Sequence, residues 1–196
     1  MLLAPGCGAH TRLTTSGLPS RQESSTATLN IYRTRQALRD RLPASLARKV
    51  ASYPPKLSGG MRVSLGSARL LPTKHYKTWA LTNYRSAVCL LQRIPVEEHR
   101  SYHFGYDFRC APIGVTLHGG FVTTLTGGWG APAGSTVEGL VPDGVADILL
   151  TTASGSSQQV PVRLNSYEAV ARNPSVASFY VGHARYVVPI PGAPRL

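Results

Sequence analysis

The sequence predicts a mainly β protein: a single β-sandwich or small barrel-like domain that follows one short, basic N-terminal helix. The 196 residues include 19 Gly and 15 Pro, which separate many short apolar runs and favour frequent turns between short strands. Hydrophobic residues make up 42% of the chain and charged residues 15%, a composition typical of a folded core. A regular hairpin pattern lies between residues 139 and 165. We expect a signal remnant and flexible leader over 1–28, a basic helical segment over 29–56, a β-rich domain over 57–190 and a frayed tail over 191–196.

The first 28 residues predict a leader and not a packed element. Residues 1–10 are apolar, then small, and lead to Cys7, which is similar to a bacterial lipoprotein signal that ends at an acylated cysteine. Residues 11–28 are rich in Ser and Thr and poor in large apolar side chains, so burial cannot offset the entropy of ordering them. Cys7 is therefore a candidate lipidation site, and the alternative is a frayed N-terminus with a free thiol.

The segment that follows carries the positive charge. Six cations, opposed only by Asp40, are candidate anion-binding residues: Arg33, Arg35, Arg39, Arg41, Arg48 and Lys49. Pro43 suits the first turn of a helix, Leu46 and Val50 give that helix one apolar face at i, i+4 spacing, and Pro54 ends it by Tyr53. Residues 1–98 hold fifteen Lys/Arg and four Asp/Glu, whereas residues 99–196 hold six and five, so the positive charge is almost entirely N-terminal.

Shorter strands are predicted from alternating or β-branched apolar runs. They are residues 61–65, 78–82, 87–92, 115–117, 121–125, 179–181 and 186–188. The fourth and fifth of these segments, 115–117 and 121–125, would form a hairpin around His118 and its following glycines. The expected core residues in the first sheet are Trp79, Leu81, Val88 and Leu90.

The 139–165 segment has the pattern of two strands joined by a polar turn. Pro142, Asp143 and Gly144 predict a tight corner ahead of the first strand, and Gly155 predicts a turn with positive φ between the strands. The apolar positions are Val145, Ile148 and Leu150, followed by Val160, Val162 and Leu164 in strict alternation. Because Pro161 cannot donate to a ladder, the second strand is expected at a sheet edge.

Three stretches of this chain are similar to a family of exported proteins from high-GC Gram-positive bacteria. They are Gly-Leu-Val-Pro-Asp-Gly-Val at 139–145 with Val-Pro-Val-Arg-x-Asn at 160–165, Ile-Tyr-Arg at 31–33 with Asp-Arg-Leu-Pro at 40–43, and Ala-Val-Cys-Leu at 87–90 followed by Cys110. The resemblance covers about Leu29 to Tyr167, and Val-Pro-Asp-Gly-Val is its specific part. It implies an exported location and no established activity, so it assigns no catalytic residues. The chain departs from the family between the two cysteines, where it is long, aromatic and His-bearing instead of Gly-rich.

In an exported protein, Cys89 and Cys110 are expected to form a disulfide, which leaves Cys7 for a lipid. The alternative is two buried free thiols in a cytosolic protein. Between these cysteines, His99 and His103 have a spacing that could bind zinc on a helix, but aromatic residues alternate from Tyr102 to Phe108, which predicts a strand. We therefore expect an aromatic strand there and no metal site.

The composition favours a binding protein over an enzyme. The sequence contains no Gly-x-Ser-x-Gly, P-loop or dinucleotide-binding fingerprint, and no cofactor is expected. The first hypothesis is a non-catalytic exported protein of the bacterial envelope whose basic segment contacts an anionic polymer or lipid. One alternative is an intracellular nucleic-acid binder, and another is a small hydrolase using Cys110 and a histidine. A basic face that only aids solubility also fits the charge, and the oligomeric state is open.

Overall fold

The computed structural model describes residues 29–52, 63–83, 87–98, 101–126 and 134–190. It confirms a mainly β protein with antiparallel sheets and a few short helices. The helices are α1 (Asn30–Arg33), a 3₁₀ turn (Leu38–Asp40), α2 (Ala44–Ser52) and α3 (Ile113–Gly119). The strands are β1 (Ser64–Leu70), β2 (Lys77–Thr82), β3 (Ala87–Glu98), β4 (Ser101–Pro112), β5 (Phe121–Thr126), β6 (Ser135–Leu140), β7 (Asp147–Thr152), β8 (Ser157–Pro161), β9 (Ser166–Ala171), β10 (Pro174–Val181) and β11 (Ala184–Pro189).

The strands form three sheets and, within the described ranges, no closed barrel. The N-terminal sheet has the order β1-β2-β3-β4, the middle sheet β5-β6-β9, and the C-terminal sheet β11-β10-β7-β8. The middle sheet lies between the other two because its side chains alternate between them. Leu140 packs with the N-terminal sheet, whereas Val137 packs with the C-terminal sheet.

Helix α2 covers the outer face of the N-terminal sheet. Leu46 and Val50, four residues apart, lie on the same helix face and are buried. They pack with Trp79, Leu81 and Leu91 on the sheet. The predicted apolar face of this basic helix is therefore confirmed and packs on the β domain, while its cations point away from the core.

The opposite face of the N-terminal sheet holds α1 as a wedge. Leu29, Ile31 and Tyr32 are buried in one cluster with sheet residues and with Leu140 of the middle sheet. Helix α1 thus fills the seam between two sheets. Its terminal backbone N–H groups therefore need hydrogen-bond acceptors in the interior.

Those partners come from the Pro-Asp-Gly corner and from Asn165. The first two backbone N–H groups of α1 find acceptors in distant parts of the same chain. Asn30 donates its backbone N–H to Asp143 Oδ1 (2.8 Å), and Ile31 donates its own to Asn165 Oδ1 (3.0 Å). Asn165 Nδ2 donates in turn to Asp143 Oδ1 (2.7 Å) and to the Val141 carbonyl (3.2 Å). We call these contacts among Asn30, Ile31, Asp143 and Asn165 the corner clamp. It joins two of the three sequence stretches on which the expected family resemblance rests, the one that contains Ile31 and the one that contains Asp143 and Asn165.

Several sequence predictions are confirmed here. Strands β7 and β8 pair as the expected hairpin, Gly155 has φ +84°, and β8 with Pro161 is an edge strand. Strands β10 and β11 form the predicted last hairpin. Trp79, Leu81, Val88 and Leu90 are all buried.

Other predictions are wrong or need new boundaries. Residues 115–117 lie in helix α3 and not in a strand, because Ile113 and Leu117 pack at i, i+4 spacing against the seam between the sheets. Leu164 does not continue β8: it lies in a two-residue turn with Asn165, with φ +49° and 59% of its surface exposed. The strand predicted at 61–65 begins at Ser64 and runs to Leu70, and residues 61–62 lie outside the described part. The leader with Cys7, residues 53–56 and the tail 191–196 also lie outside it.

The corner clamp predicts that Asn165→Gly is strongly destabilising although glycine tolerates the φ of +61° at this position. The substitution leaves the Ile31 amide without its buried acceptor, which we expect to lower the free energy of unfolding by about 2–3 kcal/mol. Chemical denaturation measures this difference. Leu164→Asn is the matched control, because Asn suits a positive φ and should keep or slightly raise stability. A loss below about 0.5 kcal/mol for Asn165→Gly would contradict the clamp.

Candidate anion-binding surface

The six predicted cations are all solvent-exposed. They are Arg33, Arg35, Arg39, Arg41, Arg48 and Lys49. Their segment begins beside β1, where Thr34 accepts a hydrogen bond from Arg69 Nη2 (2.7 Å) and Gln36 Nε2 donates to the Ala68 carbonyl (3.0 Å). It continues as α2 across the outer face of the N-terminal sheet. The charges therefore extend from one edge of this sheet over its surface.

The one carboxylate in this segment is turned inward. Asp40 is only 9% exposed, and its oxygens accept the backbone N–H groups of Ala37 (2.8 Å) and Leu70 (3.3 Å). Asp40 fastens the segment to β1 and does not pair with the exposed arginines within the described residues. The outward face of 34–52 therefore presents cations without an exposed carboxylate of its own.

Arg33 differs from the other five cations. Its guanidinium forms an ion pair with Asp143 Oδ2 (2.9 Å) beside the corner clamp. Because Arg33 already has a carboxylate partner, we assign it to holding α1 in place and leave Arg35, Arg39, Arg41, Arg48 and Lys49 as the anion-binding candidates.

The structure brings the basic helix next to the aromatic strand. Lys49 Nζ lies 5.1 Å from the centre of the Tyr106 ring, and on the neighbouring strand the Arg93 guanidinium lies 3.4 Å from the centre of the Phe104 ring. Phe104 is 48% exposed, and the strand predicted from Tyr102 to Phe108 is confirmed as part of β4. We call the surface formed by Lys49, Arg93, Phe104 and Tyr106 the basic–aromatic patch.

This patch combines two kinds of contact that suit a polyanion. The ammonium and guanidinium groups attract phosphate or carboxylate charges. The aromatic rings provide apolar surface beside these charged groups and hold the cations in place through cation–π attraction. Sequence reasoning identified the basic segment and the aromatic strand separately, and the packing of α2 on the sheet joins them.

A disulfide fixes the strand that carries the aromatic residues. Cys89 and Cys110 lie directly opposite each other in the β3–β4 ladder and are bonded. The predicted pairing is confirmed. Cys110 therefore has no free thiol to act as the nucleophile of a cysteine hydrolase. His103 lies on β4 opposite Val96, and His99 lies outside the described residues.

A second polar group lies buried between the N-terminal and middle sheets. Glu138 on β6 is 1% exposed and accepts a hydrogen bond from Thr78 Oγ1 of β2 (2.7 Å). Glu168 lies directly opposite it on β9 and accepts the backbone N–H groups of Lys74 and His75. His75 Nδ1 lies 3.3 Å from the same carboxylate. The two glutamates thus fix the β1–β2 turn onto the middle sheet.

The proton on Glu138 follows from this geometry. Burial raises the pKa of Glu138 to about 8, while the hydrogen bond from Thr78 and the nearby Gln92 side chain act in the opposite direction and the neighbouring Glu168 raises it further. Burial also raises the pKa of Tyr76, which packs nearby. Glu138 is therefore a neutral hydrogen-bonding group at neutral pH. With 1% exposure it cannot reach a substrate, so its role is structural.

This carboxyl pair is not among the site residues that the sequence predicts. Glu138 and Glu168 occur singly within short β-branched and apolar runs, on positions that the alternation of a strand would turn inward. An isolated Glu on the inward side of a strand is the available signal. Their partnership depends on the pairing of β6 with β9, which are 26 or more residues apart in the chain.

Comparison with protein-family models, with curated proteins and with solved structures finds no match to this chain. In the described ranges no helix combines the length and apolar character needed to cross a membrane. The longest described helix, α2, has nine residues.

The buried carboxyl predicts a specific dependence of stability on pH. Between about pH 5 and 8 the folded protein keeps a proton on Glu138 that the unfolded chain has released, so the free energy of unfolding falls as pH rises through this window. One proton corresponds to about 1.4 kcal/mol per pH unit. Glu138→Gln, which mimics the neutral acid, should flatten the profile and exceed the wild type in stability at pH 8, as measured by urea unfolding at several pH values.

Three other titratable side chains face Glu138, and their effects on the pH dependence must be distinguished from its own: Glu168, His75 and Tyr76. Tyr76 stays neutral below pH 8 in both states, because its ordinary pKa is 10.0 and burial raises it further in the folded protein. His75→Gln is the control, and it should retain the slope. A slope that persists in Glu138→Gln and disappears in His75→Gln would show that Glu138 is not its source.

Proposed function

We propose that this chain is a non-catalytic exported protein of the bacterial cell envelope that binds an anionic surface through its basic segment and the basic–aromatic patch. The binding chemistry is recognition of repeated phosphate or carboxylate groups, presented by a wall polymer or by anionic lipid headgroups. The single observation that carries the proposal is the uncompensated outward charge of residues 34–52. Five cations face solvent there, while the only acid of the segment, Asp40, is buried and bonded to backbone amides.

Three further features support the exported location. The Cys89–Cys110 disulfide is of a kind that persists in oxidising compartments. The resemblance to exported proteins rests on residues 29–167, and Cys7 is the proposed lipidation site ahead of a leader rich in Ser and Thr. An anchored leader would hold the basic surface close to the envelope and raise its effective concentration there.

A double charge neutralisation tests the binding surface. Arg41→Gln with Arg48→Gln removes two outward cations, and each cation near an anionic surface contributes about 1 kcal/mol, so binding should weaken roughly thirty-fold. The measurement is cosedimentation with phosphatidylglycerol vesicles and with a soluble poly(glycerol phosphate), each at several salt concentrations. The matched control is Arg163→Gln with Arg172→Gln, two exposed arginines outside the basic segment that leave the same net charge.

The outcomes separate the hypotheses. An equal loss of binding in the two double variants would show that only net charge matters and that the basic segment is not a specific binding surface. A protein that binds neither phosphate probe would overturn the proposal. Tighter binding to a single-stranded oligonucleotide than to both probes would favour the nucleic-acid alternative. Loss with lipid alone or with polymer alone identifies which anionic surface is bound.

Intact mass of the protein from fractionated source cells tests the location. We expect it in a membrane or secreted fraction, with a gain of about two mass units on reduction as the disulfide takes up hydrogen. Added acyl mass on Cys7 would make it a lipoprotein. A cytosolic protein with three free thiols contradicts export.

A further inference from the structure

The C-terminal sheet has one face in the core and one face that no described element covers. Its inward residues, which include Ile148, Leu150, Ala177 and Phe179, are buried against the middle sheet. The alternate positions point outward. On the N-terminal sheet the corresponding outer face is covered by α2, so among the described residues only the C-terminal sheet has an uncovered outer face.

The uncovered face has an apolar centre. Leu149, Ser178 and Val187 lie side by side on β7, β10 and β11. Leu149 is 40% exposed and Val187 55%, and Tyr180 on the same side of β10 is 61% exposed. Single exposed apolar residues are ordinary on a protein surface, but three on adjacent strands form a patch of the kind that binds a partner.

Opposite charges flank this centre at one level of the sheet. Arg185 pairs with Tyr180 across the β10–β11 ladder. Asp147 lies two residues before Leu149 on β7, so the antiparallel register places it level with Tyr180 on the other side. Asp147, Tyr180 and Arg185 line one cavity of about 370 Å³. Ser178, whose side chain is small and 4% exposed, also lines it.

We propose that this face, defined by Asp147, Leu149, Ser178, Tyr180, Arg185 and Val187, is the contact surface of a homodimer. Strand β10 lies between β7 and β11. A twofold axis parallel to β10 therefore exchanges the positions of β7 and β11 while keeping each level of the sheet. Leu149 then meets Val187 of the second copy, Asp147 meets its Arg185, and the two Tyr180 rings meet near the axis. The face is thus self-complementary in charge and in the placement of its apolar side chains, as a twofold interface requires.

The size of the face sets the strength of the contact. About this axis three strands of each copy overlap, β7, β10 and β11; at about 4.8 Å spacing and about six residues long they share a face of roughly 15 by 20 Å. This is smaller than the usual specific interface, so we expect a weak, reversible dimer with a dissociation constant on the order of 100 micromolar. The proposal is independent of the anion-binding function, because the basic–aromatic patch lies on the other outer sheet.

Sedimentation velocity across a range of protein concentrations tests the dimer. The wild type should shift from monomer to dimer, and Asp147→Arg should weaken association at least tenfold by placing two arginines against each other. Asp147→Arg combined with Arg185→Asp should restore it, since the opposite charges again meet. Asp107→Arg on β4 is the control with the same change in net charge, and it should leave association unchanged.

Thermal unfolding of each variant checks that the fold is retained, including Asp107→Arg, where the replaced side chain is 21% exposed and paired with Arg109. The two sites of the charge reversal, Asp147 and Arg185, are exposed. A wild type that remains monomeric at all concentrations overturns the proposal, even if this face is later found to bind a different protein. Failure of the double charge reversal to restore association also overturns it, because a general loss of stability or a change in net charge would then explain the single variant.

Discussion

The corner clamp is the constraint on which the arrangement of the layers depends. Helix α1 has only four residues and no side-chain cap of its own, so it gains little from helix formation by itself. Asp143 and Asn165, more than 110 residues away in the chain, accept its first amides. With those donors satisfied, Leu29, Ile31 and Tyr32 can be buried in the seam between two sheets. The basic segment then leaves this seam at a fixed place beside β1.

A fixed basic segment has different binding properties from a flexible basic tail. Asp40 and the contacts of Thr34 and Gln36 hold its backbone on β1, while Leu46 and Val50 hold α2 on the sheet. Much of the conformational entropy that a disordered polybasic tail would lose on binding has therefore already been lost in folding. The same packing sets Lys49 beside Tyr106, which neither residue could achieve through its local sequence.

The sequence predicts the local features of this protein well and the long-range ones poorly. Hairpins such as β7–β8 and β10–β11 depend on alternation and on turn residues such as Gly155, all within one short segment. The middle and C-terminal sheets depend instead on the pairings of β6 with β9 and of β7 with β10, which local patterns do not contain. Residues 113–119 show that local preference can also mislead. Val115 and Thr116 favour a strand, yet Ile113 and Leu117 pack at helical spacing into the seam beside β3. Tertiary packing overrides propensity there.

The candidate site also has features that the local sequence predicts and features that it does not. The basic residues could be found from composition, and the disulfide from the cysteines together with the exported resemblance. The basic–aromatic patch could not, because it requires knowing that α2 crosses the sheet as far as β4. The Glu138–Glu168 pair could not either, since each glutamate alone resembles an ordinary polar residue of a strand. Burial of that pair costs stability unless one member is neutral, and the raised pKa of Glu138 meets this requirement at neutral pH. A bound proton as well as hydrogen bonds thus stabilises the contact between the N-terminal and middle sheets, and a rise in pH towards 8 weakens this contact.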